Sequence, residues 1–102
     1  MIGSIKFDPS AVRTITIDWT RFPFPGGCGI ASAVWTVPVA FEVIDQSVVG
    51  KKTNVRVRFR YPTSAAKQLY EFSCLMTTNE QVTGPNLPTR DTRRIGVEVL
   101  PR

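Results

Sequence analysis

At 102 residues the chain has the size of one domain, and 42% apolar with 21% charged residues is ordinary globular composition, which excludes wholesale disorder. No apolar run approaches the roughly 20 residues of a membrane-spanning helix, and the chain contains no histidine. Thirteen Lys and Arg against eight Asp and Glu give a net charge of +5, which favours acidic partners and leaves the fold open.

The opening residues Met1-Ile2-Gly3-Ser4-Ile5-Lys6 lack the basic segment and apolar stretch of a secretory signal, so the chain is expected to fold in the cytosol that makes it. Residues 1–10 read as an N-terminal extension, held by a partner or left mobile, ahead of a single domain over 11–102. Val12 to Asp18 is rich in β-branched residues and alternates, directing Val12, Ile15 and Ile17 toward a core. The phase slips between Val12 and Ile15, which marks either a strand start or a bulge. Arg21 to Gly29 holds two prolines and three glycines and reads as a loop.

Ile30 to Val37 is the next strand, with Trp35 and Val37 on one face and Pro38 as its stop. Phe41-Glu42-Val43 continues to Val48 and Val49 beyond a kink at Asp45-Gln46, and Gly50-Lys51-Lys52 reads as a turn. Asn54 to Arg60 has the clearest alternation, with Val55, Val57 and Phe59 on one face and Arg56, Arg58 and Arg60 on the other. Thr63 to Gln68 could hold one helical turn after Pro62. Leu69 to Thr78 then sets Tyr70, Phe72, Cys74 and Met76 against Glu71 and Ser73, and Arg94 to Leu100 turns Ile95, Val97 and Val99 inward. Residues 79–92 form a polar connection long enough to be a functional loop. Six to seven short strands in about 100 residues predict an all-β fold, an immunoglobulin-like antiparallel β-sandwich of about seven strands.

The chemistry-bearing residues are few. Lacking histidine, the chain lacks the commonest general base and every histidine-containing triad, and its carboxylates are scattered singly, Asp18 and Asp91 among them. Gly26-Gly27-Cys28-Gly29 is followed by no Gly-Lys-Ser/Thr, so it is no phosphate loop. Cys28 and Cys74 have no metal-site or redox spacing. Their order around Trp35 fits the immunoglobulin disulfide, but Cys28 lies in a Gly-rich loop, so two free thiols stand as the other reading. No catalytic residue, cofactor, metal or small-molecule substrate is implied, and the expected function is protein binding.

Partner-binding candidates come from two places. Arg56, Arg58 and Arg60 form a stripe with Tyr61 next in line, open to three readings: a solvated face whose arginines pair with Glu71 or Glu98, an interface for an acidic patch, or a nucleic-acid-binding face. The third is disfavoured because the aromatics alternate onto the opposite face. Trp19, Phe22 and Phe24 cluster near the loop, either as a lid over one end of the sandwich or as a stiff Phe-Pro-Phe-Pro projection for a neighbour's groove. Leu87, in the long connection, is a further candidate.

Ile17-Asp18-Trp19, the Gly-containing loop and Ile30-Ala31-Ser32-Ala33-Val34-Trp35-Thr36-Val37-Pro38 together resemble short virion proteins of tailed phages, the fibre–tail adaptor proteins. Tyr70 to Thr78 and the charged strand Arg93 to Val99 are similar to later elements of that family. Cys74 at a position where the family tends to have Asn, the arginines of the middle strand and the segment Gln81 to Pro88 depart from it. The resemblance implies an immunoglobulin-like fold and a structural role in the virion, assembled in the host cytoplasm. The implied partners are other phage proteins: tail tube or nozzle, head–tail connector and fibres, with several copies in a symmetric ring. It brings no catalytic residues. A capsid decoration or cement protein is the alternative within the virion, and a nucleic-acid-binding module is the alternative from another class.

Overall fold

The computed structural model describes residues 4–61, 68–82 and 87–101. Seven strands follow in chain order: β1 (Ser4–Phe7), β2 (Val12–Asp18), β3 (Ile30–Thr36), β4 (Phe41–Val49), β5 (Lys52–Phe59), β6 (Gln68–Thr78) and β7 (Arg90–Val99). They form a four-stranded sheet in the order β1-β7-β6-β3 and a three-stranded sheet in the order β2-β5-β4. In immunoglobulin sandwiches the second, fifth and fourth strands share one sheet, and the third, sixth and seventh share the other. β2 to β7 divide in the same way here, while β1, which that arrangement would place with β2, joins β7 instead; the fold is an immunoglobulin-like β-sandwich.

The core is the set of inward positions that alternation supplies. From the three-stranded sheet come Ile15, Ile17, Phe41, Val55, Val57 and Phe59, and from the other Trp35, Phe72, Cys74, Met76, Ile95, Val97 and Val99. Phe41 sits at the centre of an aromatic cluster, edge-on to Phe7, Tyr70 and Phe72 at centroid distances of 5.4, 5.3 and 4.9 Å. Such contacts add to area burial because each ring edge meets a neighbour's electron-rich face.

The N-terminal residues depart from expectation. Residues 4–7 are not a tail but β1, paired parallel to β7 from Ser4 opposite Gly96 to Phe7 opposite Val99. Phe7 is fully buried and its carbonyl accepts from the Leu100 amide at 3.0 Å. One large aromatic anchors the segment, and the parallel β1–β7 pair is the exception to an otherwise antiparallel sandwich. Val12 departs as well. It lies opposite Arg58 on the outer face, while Arg13 takes the inward phase at the rim; the ladder runs without a bulge, and Val12 is where β2 starts.

The connections keep to their sequence cues. Gly50 has φ 60° at the first position of the two-residue β4–β5 turn, with no positive φ at Lys51, the pattern of a type II′ hairpin. The kink near Asp45 is a register shift between Val43 and Asp45. Pro25–Gly27 makes a single 3₁₀ turn within the β2–β3 loop. β7 starts at Arg90, earlier than its apolar residues suggested, so the connection after β6 is correspondingly shorter. The expected helical turn lies almost wholly in residues 62–67, outside the described residues, as does part of the Gln81 to Pro88 segment.

Candidate protein-binding surfaces

The sandwich is elongated, 53 × 22 × 22 Å, and the seven candidate residues do not meet on it. At one end the β2–β3 loop, the Gly50-Lys51 turn and the β6–β7 connection are tied together. The Trp19 amide donates to Lys51 O at 2.8 Å, the Asn79 amide donates to Gly29 O at 3.0 Å, and the Gly29 amide donates to Asn79 Oδ1 at 2.8 Å. Phe22, Phe24 and Leu87 belong to these loops. Arg60 and Tyr61 lie at the opposite end, where the Arg60 amide donates to Ala40 O at 2.8 Å, and Arg56 and Arg58 lie on the flat face between.

Phe22 and Phe24 form a lid rather than a projection. Both are half-buried against the core, in an edge-to-face series that runs from Trp19 to Phe22 at 5.9 Å and on to Phe24 at 5.0 Å. Two cations cover the aromatics from outside: Lys51 Nζ stands 4.7 Å from the Phe24 ring and the Arg93 guanidinium 4.4 Å from the Trp19 ring. Leu87 is 70% exposed and Tyr61 56% exposed, the latter with its ring edge-on to Phe59.

The arginine stripe has other partners than the sequence suggested. β5 is flanked by β2 and β4, so Glu71 and Glu98, on β6 and β7, belong to the other sheet. There Glu71 pairs with Arg94 at 3.5 Å, and Glu98 with Lys6. On the outer face of the three-stranded sheet Lys52 lies opposite Asp18, Arg56 opposite Asp45 and Arg58 opposite Glu42, three cations against three carboxylates. Arg58 donates to Glu42 Oε1 at 2.6 Å, Arg56 to the Thr14 hydroxyl at 3.2 Å, and Arg60 to the Val39 carbonyl at 2.7 Å. With Arg60 included, four cations stand against three carboxylates, so the face keeps a small positive excess and is largely compensated, which offers limited net potential to a polyanion.

Two carboxylates hold the loop end in shape. Asp18 lies below the usual carboxylate range because the Thr20 hydroxyl and then the Thr20 amide donate to it, at 2.5 and 2.9 Å. Glu80 is lowered in the same way, by the Thr89 hydroxyl and amide first and by the Thr78 hydroxyl as well. These contacts clamp the two ends of the β6–β7 connection together. Cys28 and Cys74 are both free thiols, so the disulfide reading falls: Cys28 is half-buried in the loop, and Cys74 is buried with its thiol 3.5 Å from the Thr53 hydroxyl. Burial pushes the Cys74 thiol up from its ordinary value. Among the described residues no group of three or more His, Cys, Asp or Glu is placed to hold a metal ion.

Sequence reasoning missed a set of exposed apolar residues along one side of the sandwich. Val34, Val39, Val43, Ile44, Val48 and Val49 are all exposed, and all lie on β3, on β4 or in the turn between them. β3 and β4 are edge strands of opposite sheets on one side of the sandwich, and a groove of about 250 Å³ lined by Ala33, Trp35, Gln46, Ser47 and Val48 separates them. Trp35 is buried at its floor, and its indole Nε1 has no hydrogen-bond partner among the described residues. Periodicity identifies a strand but not whether it lies at an edge, so only topology reveals this side.

No protein-family model matches the chain, and no curated protein or solved structure matches it significantly.

Proposed function

We propose that this chain is a structural protein-binding module, not an enzyme, and that it serves as an adaptor in the virion of a tailed bacteriophage. In that role it joins the tail tube or nozzle, or the head–tail connector, to the fibres. The binding part rests on one observation: two adjacent strand edges, β3 and β4, lie open beside exposed apolar residues on a rigid sandwich. Edges of this kind take up a neighbour's strand or arm, and the exposed side chains give the contact its selectivity. The phage part rests on the resemblance of the Trp35 block. Its residues make up β3 and the turn after it, so the resemblance and the open side fall on the same element.

A small rigid module with several contact surfaces suits a symmetric particle, where each copy touches more than one neighbour. The largely compensated arginine face favours protein over nucleic acid as the partner, since phosphate binding needs uncompensated cations.

The test is to locate a tagged copy on purified particles of the phage that encodes the chain. Label at the tail or neck is expected. Label confined to the capsid would replace the adaptor reading with a decoration protein, and absence of the chain from the particle by mass spectrometry would remove any virion role.

A further inference from the structure

The two long sides of the sandwich differ. Between β1 and β2, Arg13 donates to the Lys6 carbonyl at 2.6 Å and ties one sheet to the other. Between β3 and β4 the sheets part, and among the described residues β4 has only β5 as a ladder partner. Val43 and Val48, whose phase points them inward, are 39% and 41% exposed there.

Backbone phase says what this edge can bind. Val49 and Lys52 flank the two-residue turn, and in such a hairpin the flanking pair exchanges both hydrogen bonds. Counting back, Ser47 and Asn54 are the next bonded pair, whereas Val48 and Gln46 turn their N–H and C=O groups away from β5. The Gln46 amide agrees, since it donates to the carboxylate of its neighbour Asp45 at 2.9 Å.

The edge is also self-complementary. Ile44-Asp45-Gln46-Ser47-Val48 reads alike in both directions by residue class. In an antiparallel pairing with a second copy about Gln46, Ile44 meets Val48 and Asp45 meets Ser47, while Val43, turned to the inner face by the shift, and Val49, on the outer face, form no pair. Centring on Asp45 instead would set two carboxylates opposite each other, and centring on Ser47 would set Ile44 against Gly50. Like charges directly opposite destabilise a sheet and apolar pairs stabilise it, so one register stands out.

We propose that the open edge of β4 pairs with β4 of a second copy, antiparallel about Gln46, joining two three-stranded sheets into one of six strands. A two-fold contact closes at two copies, so it is distinct from any ring contact and stands independently of the phage reading. The shift at Val43–Asp45 twists β4 and keeps the new ladder short, so the association is weak.

Sedimentation equilibrium tests this. The weight-average mass is expected to rise from 11.4 kDa toward twice that value between about 10 µM and 1 mM. Gln46→Pro removes an outward N–H that β5 does not use, and Val48→Lys places a cation against Ile44 of the other copy. Each is expected to weaken the dimer about tenfold or more, with the circular dichroism spectrum unchanged. Should Gln46→Pro fail to fold, Val48→Lys, a change at the exposed rim, decides alone. A mass that stays at 11.4 kDa throughout this range overturns the proposal, as does a dimer that Val48→Lys leaves equally tight.

Discussion

The indole N–H of Trp19 donates to the hydroxyl of Thr53 at 3.0 Å, and both side chains are fully buried. Trp19 follows β2 and Thr53 lies on β5, so this bond fixes the end of β2 to the neighbouring strand. The same hydroxyl oxygen is 3.5 Å from the Cys74 thiol on the opposite sheet, placing Thr53 where the two layers meet. Replacing Thr53 by Val keeps the shape but strands the Trp19 N–H in the core, a loss of about 1–3 kcal/mol. Thr53→Ser retains the acceptor and is expected to recover most of the hydrogen-bond component. Urea unfolding of the two variants measures the difference, and equal midpoints would show that the bond contributes nothing.

The two thiols should separate kinetically. Cys28 lies half-buried in a surface loop, whereas Cys74 is buried and its thiol titrates above its ordinary value. A thiol reagent near neutral pH is expected to label Cys28 in the native protein and Cys74 only on unfolding. The raised value also sets a sign. Below the unfolded thiol's pKa both states hold the proton and the full stability is present. As pH rises from there through the folded pKa, the unfolded state ionises first and stability falls. Cys74→Ala should remove that alkaline decline at a packing cost of its own, and an identical decline in the variant would assign it to other groups.

The strands that could be read from the sequence are those whose alternation is local. Val55, Val57 and Phe59 show their face within one strand, and Phe72, Cys74 and Met76 do the same. What stayed hidden depends on which strands become neighbours. Arg58 meets Glu42 because β4 and β5 form a hairpin, and Glu71 and Glu98 are excluded only by their place in the other sheet. β1 escaped notice because four residues are too few to show a period and their partner strand is the last in the chain. Exposed Val43 and Val48 have the composition of core residues, and only the edge position of β4 leaves them open.

The integration of β1 makes Phe7 a structural residue. Its ring is fully buried and edge-on to Phe41 at 5.4 Å, so Phe7→Ala removes transfer energy and leaves a cavity in the aromatic cluster. A loss of about 3–5 kcal/mol is expected, enough to consume much of the stability of a domain this size. The neighbouring Lys6 is mostly exposed, and Lys6→Ala is expected to cost less than about 1 kcal/mol. Thermal unfolding of the pair separates an anchored strand from a loose tail, since a tail would leave both variants like the parent.

The arginine face gives the last expectation, and it follows from charge counting across the sheet. Lys52, Arg56 and Arg58 each face a carboxylate, and Arg60 is engaged with a backbone carbonyl. Counterion release on phosphate binding scales with the number of cations that become available to neutralise phosphates, and here Asp18, Asp45 and Glu42 lie opposite three of the four cations, with Glu42 ion-paired to Arg58. The triple change of Arg56, Arg58 and Arg60 to Ala should therefore leave single-strand oligonucleotide binding at low salt as weak as in the parent. Glu42→Gln together with Asp45→Asn tests the same account from the other side. With the carboxylates neutralised the stripe becomes a strongly basic face, and salt-dependent oligonucleotide binding should emerge. Strong binding by the parent that the triple variant abolishes would refute the compensation and restore nucleic acid as the partner.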